Sequence, residues 1–79
     1  MIRFLNVGSE NSVNVNKIIS IITSDSNQAR RLIKQAKDEN ILIDATSGRK
    51  TNSVIITDER IIISNNKADT LRKRLNTEI

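Results

Sequence analysis

The chain contains no cysteine, histidine, proline, tryptophan or tyrosine, and its one aromatic residue is Phe4. Without cysteine there are no disulfides, and without histidine nearly every zinc or haem scheme is lost too, so no metal or cofactor is expected. The same two absences remove the usual proton shuttle and thiolate nucleophile, which argues against an enzyme. Sheets that bind single-stranded nucleic acid usually present several aromatics on which bases stack, so stacking-based recognition is disfavoured. No stretch approaches the roughly 20 apolar residues that span a bilayer. The segment from Met1 to Asn6 has no apolar core followed by a small-residue cleavage site, and a cytoplasmic location is expected. Long linkers, low-complexity tracts and internal repeats are also missing.

What is present is a short, basic, isoleucine-rich chain. A chain of 79 residues buries only about 60% of the surface its unfolded form exposes. Domains of this size commonly add a disulfide, a metal or a subunit interface. With the first two excluded, self-association is expected, and the isoleucines would supply its apolar surface. Thirteen Lys and Arg against nine Asp and Glu give a net charge of +4 and a pI near 10.0. That excess fits a soluble surface or a polyanion ligand equally well, so the distribution of charge has to decide.

Local patterns set the elements. Met1 to Val7 reads as a strand with Ile2, Phe4 and Asn6 on one face, and Phe4 is expected in the core. Gly8 to Asn11 is turn chemistry, and Val13 and Val15 alternate with asparagines at strand period. The run Ile18 to Ile22 reads as a strand buried on both faces. Thr23 to Ser26 is rich in N-cap residues, and Ala29, Leu32, Ile33 and Ala36 then form a helical stripe that ends near Asn40. Ile41 to Ala45 is a strand, and Val54 to Thr57 with Ile61 to Ser64 form an antiparallel hairpin across Asp58 to Arg60. Lys67 to Leu75 closes the chain as a short helix. The expected fold is α+β: a small, mainly antiparallel sheet with one longer helix and one short C-terminal helix.

The most informative segment is Ile41-Leu42-Ile43-Asp44-Ala45-Thr46-Ser47-Gly48-Arg49-Lys50-Thr51. Gly48 tolerates positive φ, so the backbone can reverse there and hold Arg49 and Lys50 away from the body of the protein. Asp44 ends an apolar strand and is expected to accept hydrogen bonds from the following turn, not to act as an acid or base. The segment does not form a nucleotide-binding P-loop: an arginine precedes the lysine, Ile43 stands where the earlier glycine belongs, and a strand follows. Paired cations on an ordered turn suit a phosphate partner, and duplex binding through the backbone needs only well-placed Arg and Lys. Arg30, Arg31, Lys34 and Lys37 read as the wet face of an amphipathic helix. Arg72, Lys73 and Arg74 read as cations that complement a helix C-terminus.

Three segments carry a resemblance: Phe4-Leu5-Asn6-Val7-Gly8, Val15-Asn16-Lys17-Ile18-Ile19-Ser20-Ile21, and above all Leu42 to Thr51. Through them the chain, to about Leu75, resembles the RemA-type extracellular-matrix regulators, small bacterial DNA-binding proteins. The resemblance implies one DNA-binding domain over residues 1–79, similar in fold to LytTR-type domains and assembled into a closed, octamer-like ring. It implies a homo-oligomeric transcriptional regulator of biofilm-matrix genes, with double-stranded DNA as partner. It also implies DNA contacts at Lys17, Arg49 and Lys50, of which only Arg49 keeps the family's arginine. Lysine holds a phosphate but lacks the planar fork that reads guanine or fits a narrow minor groove, so more backbone and less base readout is expected. The alternative is a non-catalytic protein–protein interaction module built on the isoleucine-rich strands; RNA binding and catalysis rank below both.

Overall fold

The computed structural model describes residues 3–77. From the N-terminus the elements are strands β1 (Phe4–Gly8) and β2 (Asn11–Asn14), a 3₁₀ turn at Val15–Lys17, and strand β3 (Ile18–Thr23). Helix α1 (Asn27–Asp38), strands β4 (Leu42–Ala45), β5 (Ser53–Thr57) and β6 (Ile61–Ser64), and helix α2 (Ala68–Thr77) follow. β1 and β2 form a hairpin, and the other strands form a four-stranded sheet in the order β3-β5-β6-β4. All pairs are antiparallel except β4 with β6.

The continuous isoleucine runs of β5 and β6 make this sheet apolar on both faces, as strands enclosed between two layers must be. Val54, Ile61 and Ile63 face α1 through Ala29 and Ala36, with Leu32 and Ile33 half-buried beside them. Ile55 and Ile62 face the opposite way, toward Leu5, Val7 and Val13 of the hairpin and Ala68 and Leu71 of α2. The result is three layers, with α1 on one side of the sheet and the hairpin plus α2 on the other. Burying one such leucine or isoleucine fully contributes about 1.5–3 kcal/mol.

Local chemistry fixes the ends. The Ser26 hydroxyl accepts the Ala29 N–H at 3.0 Å and caps α1. Asn40, at φ 60°, reverses the chain after α1, while the amides of Asn40 and Ile41 donate to the carbonyls of Lys37 and Ala36. That is a Schellman closure, and it satisfies carbonyls a bare helix end would leave open. The Thr57 hydroxyl accepts the Arg60 N–H at 2.8 Å and donates to the Arg60 carbonyl, closing the β5–β6 turn.

Some expectations need correction. Phe4 is 58% exposed, while Leu5 and Val7 are fully buried, so β1 presents the opposite face to the core. One face of β1 carries Phe4 and the other carries Leu5 and Val7, and a one-residue change of register exchanges them. The expected placement of Ile2 lies outside the described residues. β2 stops at Asn14, whose side chain accepts the Asn16 N–H and starts the 3₁₀ turn, so Val15 and Lys17 are not strand residues. β3 is an edge strand, and Ile19 on it is 67% exposed, so the run is not buried on both faces throughout. No helix among the described residues is long and apolar enough to cross a membrane.

Candidate nucleic-acid interface

The turn between β4 and β5 is built from its anchor outward. Asp44 Oδ1 accepts both the Thr46 N–H at 2.8 Å and the Thr46 hydroxyl at 2.6 Å. The Thr46 hydroxyl, and then its N–H, hold the Asp44 carboxyl below its ordinary range, with slight desolvation of this exposed residue opposing them. Thr46 is buried, and its carbonyl accepts the Arg49 N–H at 3.0 Å. Ser47 and Gly48 between them take φ 54° and 78°, the double positive-φ pattern of a type I′ turn. A Cβ on Gly48 would meet nothing within 4 Å, so the backbone conformation alone calls for glycine there. Asp44 therefore has the turn-anchoring role expected of it, and Arg49 leaves a rigid support.

The two cations of this turn serve different clefts. Arg49 lines an open cleft of about 540 Å³ bounded by Gly8 at the end of β1, Asn65 and Asn66 after β6, and Arg74 of α2. Lys50 lines a neighbouring cleft of about 250 Å³ with Lys67, Asp25 and Asp69. Both side chains are exposed. Lys17 lies elsewhere: it precedes β3, whereas the far end of β3 reaches the turn, where the Ser24 hydroxyl donates to the Thr51 carbonyl at 2.8 Å. The six residues of β3 therefore set Lys17 about 20 Å along the strand from the end that reaches the turn of Lys50. Lys17 Nζ stands 3.5 Å from Asp58 Oδ2, with both side chains about half-exposed. A surface pair of this kind contributes little to stability, about 0–1 kcal/mol.

Within one protomer, then, the structure does not gather Lys17, Arg49 and Lys50 into one patch. It does bring Arg74 to Arg49, a residue that sequence reasoning assigned to helix termination. Arg74 Nη1 donates to the Asn6 carbonyl at 3.2 Å, tying α2 to β1. The available signal was its spacing: Arg74 lies three residues after the fully buried Leu71 and so falls at the rim of the buried face. Arg72 is likewise no mere helix-end cation, since its Nη2 donates to the Ile21 carbonyl on β3 at 2.8 Å. Among the described residues no group of carboxylates is placed to hold a metal ion.

Comparison with known proteins gives a consistent result. The family model described as extracellular matrix regulatory protein A-like matches residues 4–75. Relatives bearing the name "putative regulatory protein" include one from Brevibacillus brevis, 45% identical over 78 residues, covering 98% of this chain and 91% of the relative. One from Carboxydothermus hydrogenoformans is also 45% identical, over 98% of this chain and 90% of its own. A third, from Clostridium kluyveri, is 41% identical over 98% and 85%. These names describe regulation and not catalysis.

Proposed function

Since the chain belongs to the RemA-like family of extracellular matrix regulatory proteins, we propose that it is a transcriptional regulator that binds double-stranded DNA as a homo-oligomer, contacting it through Lys17, Arg49 and Lys50. The observation that carries this reading is the anchored turn. Asp44 and Thr46 fix a type I′ reversal at Ser47 and Gly48, which is followed directly by two exposed cations, Arg49 and Lys50. A rigid cationic turn loses little entropy when it meets a phosphate, whereas a floppy one would lose more.

Multiplicity gives these few charges leverage. If Z phosphates are neutralised, log K falls with log salt at a slope of about 0.9Z, so a ring of protomers has a steep salt dependence. Sites that engage together raise avidity by roughly 10²–10⁴. Assembly also reconciles Lys17 with the turn, because cations separated along β3 in one protomer can align with those of a neighbour. Ile19, exposed on the edge strand β3, and Phe4, exposed on β1, supply apolar surface for such contacts.

A mobility-shift titration on duplex DNA across a salt series, with the Arg49→Ala/Lys50→Ala double variant alongside, tests the reading. Retention of parental affinity and slope by the double variant would remove the turn from the mechanism. Light scattering at the same concentrations tests the assembly. A monomer without duplex affinity would favour an interaction module.

A further inference from the structure

We propose that the outward face of α1 is a second phosphate-binding surface, over which the duplex held by the β4–β5 turn continues, with Arg30, Arg31, Lys34 and Lys37 as its contacts. This rests on the duplex-binding reading above. All four side chains are exposed, and no carboxylate occurs from Asn27 to Lys37. α1 buries Ala29 and Ala36 against the sheet with Leu32 and Ile33 beside them, so the cations lie on the side turned to solvent. Arg30 Nη1 donates to the neutral Asn27 Oδ1 at 3.3 Å. Among the described residues none of the four joins an ion pair.

This arrangement opposes what a helix favours by itself. Acids stabilise a first turn, bases a last turn, and opposite charges attract when three or four residues apart. α1 has no acid in its first turn; Arg30 and Arg31 stand near its start, while Asp38 and Glu39 stand at its end. Only Lys37 is placed as the macrodipole prefers. Arg30 with Lys34, Arg31 with Lys34, and Lys34 with Lys37 are like charges at the spacings where side chains meet, and each pair mildly destabilises the helix. Lys34 and Asp38 follow each other in the less favourable order. Interspersed signs would keep the face equally wet without these conflicts. A cationic run that works against its own helix is the kind of local conflict found at binding sites, where an anionic partner relieves it.

Position selects the duplex as that partner. The Ser24 N–H and hydroxyl donate to the Asn52 and Thr51 carbonyls at 3.3 and 2.8 Å, and Ser26 caps α1 two residues later. Asp25 lines the cleft of Lys50. The helix therefore starts at the end of the molecule that carries the cationic turn, and its own cations lead away from it. From Arg30 to Lys37 the helix rises about 11 Å. That length matches about three phosphate spacings along one DNA strand, at about 3.4 Å each. A lipid surface fits less well, because the exposed large apolar residues among those described are Phe4, Ile19 and Ile43, none of them on α1.

The experiment is duplex binding over a salt series with three variants, each melted at the same protomer concentration. Arg31→Gln/Lys34→Gln is expected to weaken binding about fivefold per cation near about 150 mM salt, or about thirtyfold together, and to flatten the salt slope by about 0.9 for each. Arg31→Lys/Lys34→Arg keeps both charges and is expected to keep the slope. Lys34→Glu sets an acid within reach of Arg30, Arg31 and Lys37; its melting temperature is expected to hold or rise while its duplex affinity falls below that of Lys34→Gln. Parental affinity and slope in the neutral double variant would overturn the inference and leave duplex binding through the turn standing. Weakened binding accompanied by lowered melting temperatures in both the neutral and the Lys34→Glu variants would overturn it too, since the cations would then be structural. Loss of binding to phosphatidylglycerol vesicles with duplex binding unchanged would assign the face to a lipid surface instead. Absence of duplex binding by the parent would overturn both readings.

Discussion

The chain has only two glycines, and substituting each by alanine separates two kinds of constraint. Both adopt positive φ, 118° at Gly8 and 78° at Gly48. At Gly48 a Cβ meets nothing within 4 Å, so only the backbone conformation opposes it. A left-handed non-glycine residue costs about 1–2 kcal/mol, partly offset by about 0.4–1 kcal/mol from the stiffer unfolded chain. Gly48→Ala is therefore expected to destabilise by about 1 kcal/mol or less. At Gly8 the same substitution adds a Cβ 2.9 Å from the Ala45 carbonyl oxygen, a backbone atom that cannot move aside without disturbing β4. Backbone strain of about 1–3 kcal/mol and overpacking of about 1–3 kcal/mol then combine. The expected difference between the two variants is about 2 kcal/mol or more, or roughly 10 °C in melting temperature at this chain length. Urea denaturation at equal protomer concentration measures it, the concentration being fixed because an oligomer's apparent stability depends on it. Equal midpoints for the two variants would refute the argument that close approach at the cleft floor, and not dihedral preference alone, selects Gly8.

Two further predictions concern charge. Asp58→Asn removes the carboxylate 3.5 Å from Lys17 Nζ and raises the net charge, so duplex affinity is expected to rise a few-fold with little change in stability; unchanged affinity in a mobility-shift titration would place Lys17 outside the interface. Asp44 has a folded-state pKa below its unfolded one, so its contribution is present above the unfolded value and is lost as pH falls through the folded value. Asp44→Asn is therefore expected to lower stability near neutral pH and to flatten the acid limb of the stability curve, and an acid limb as steep as the parent's in pH-dependent melts would remove Asp44 from that transition.

Much of this architecture was legible from local chemistry. The Ser26 cap, the reversal at Asn40 and the turn at Gly48 depend on side-chain oxygens and permissive φ angles within a few residues of each other. Hydrogen bonds that span two to five residues involve only neighbouring residues in the chain, which is why a linear reading finds them. The β5–β6 hairpin was readable for the same reason: two isoleucine runs across a short polar turn have one economical pairing.

Tertiary structure decided what local pattern left degenerate. Phe4 on one face of β1 and Leu5 and Val7 on the other offer alternation two usable answers, and only the three-layer packing selects Leu5 and Val7 for burial against Ile55, Ile62 and Leu71. The sheet order also puts the full length of β3 between Lys17 and the cationic turn, a separation that no motif encodes. Likewise Arg74 meets Arg49 across a cleft although 24 residues lie between them in the chain. Caps and turns are short-range equilibria that the amino-acid order settles alone. The grouping of distant charges follows from which apolar faces are buried together, a collective outcome in which each choice depends on all the others.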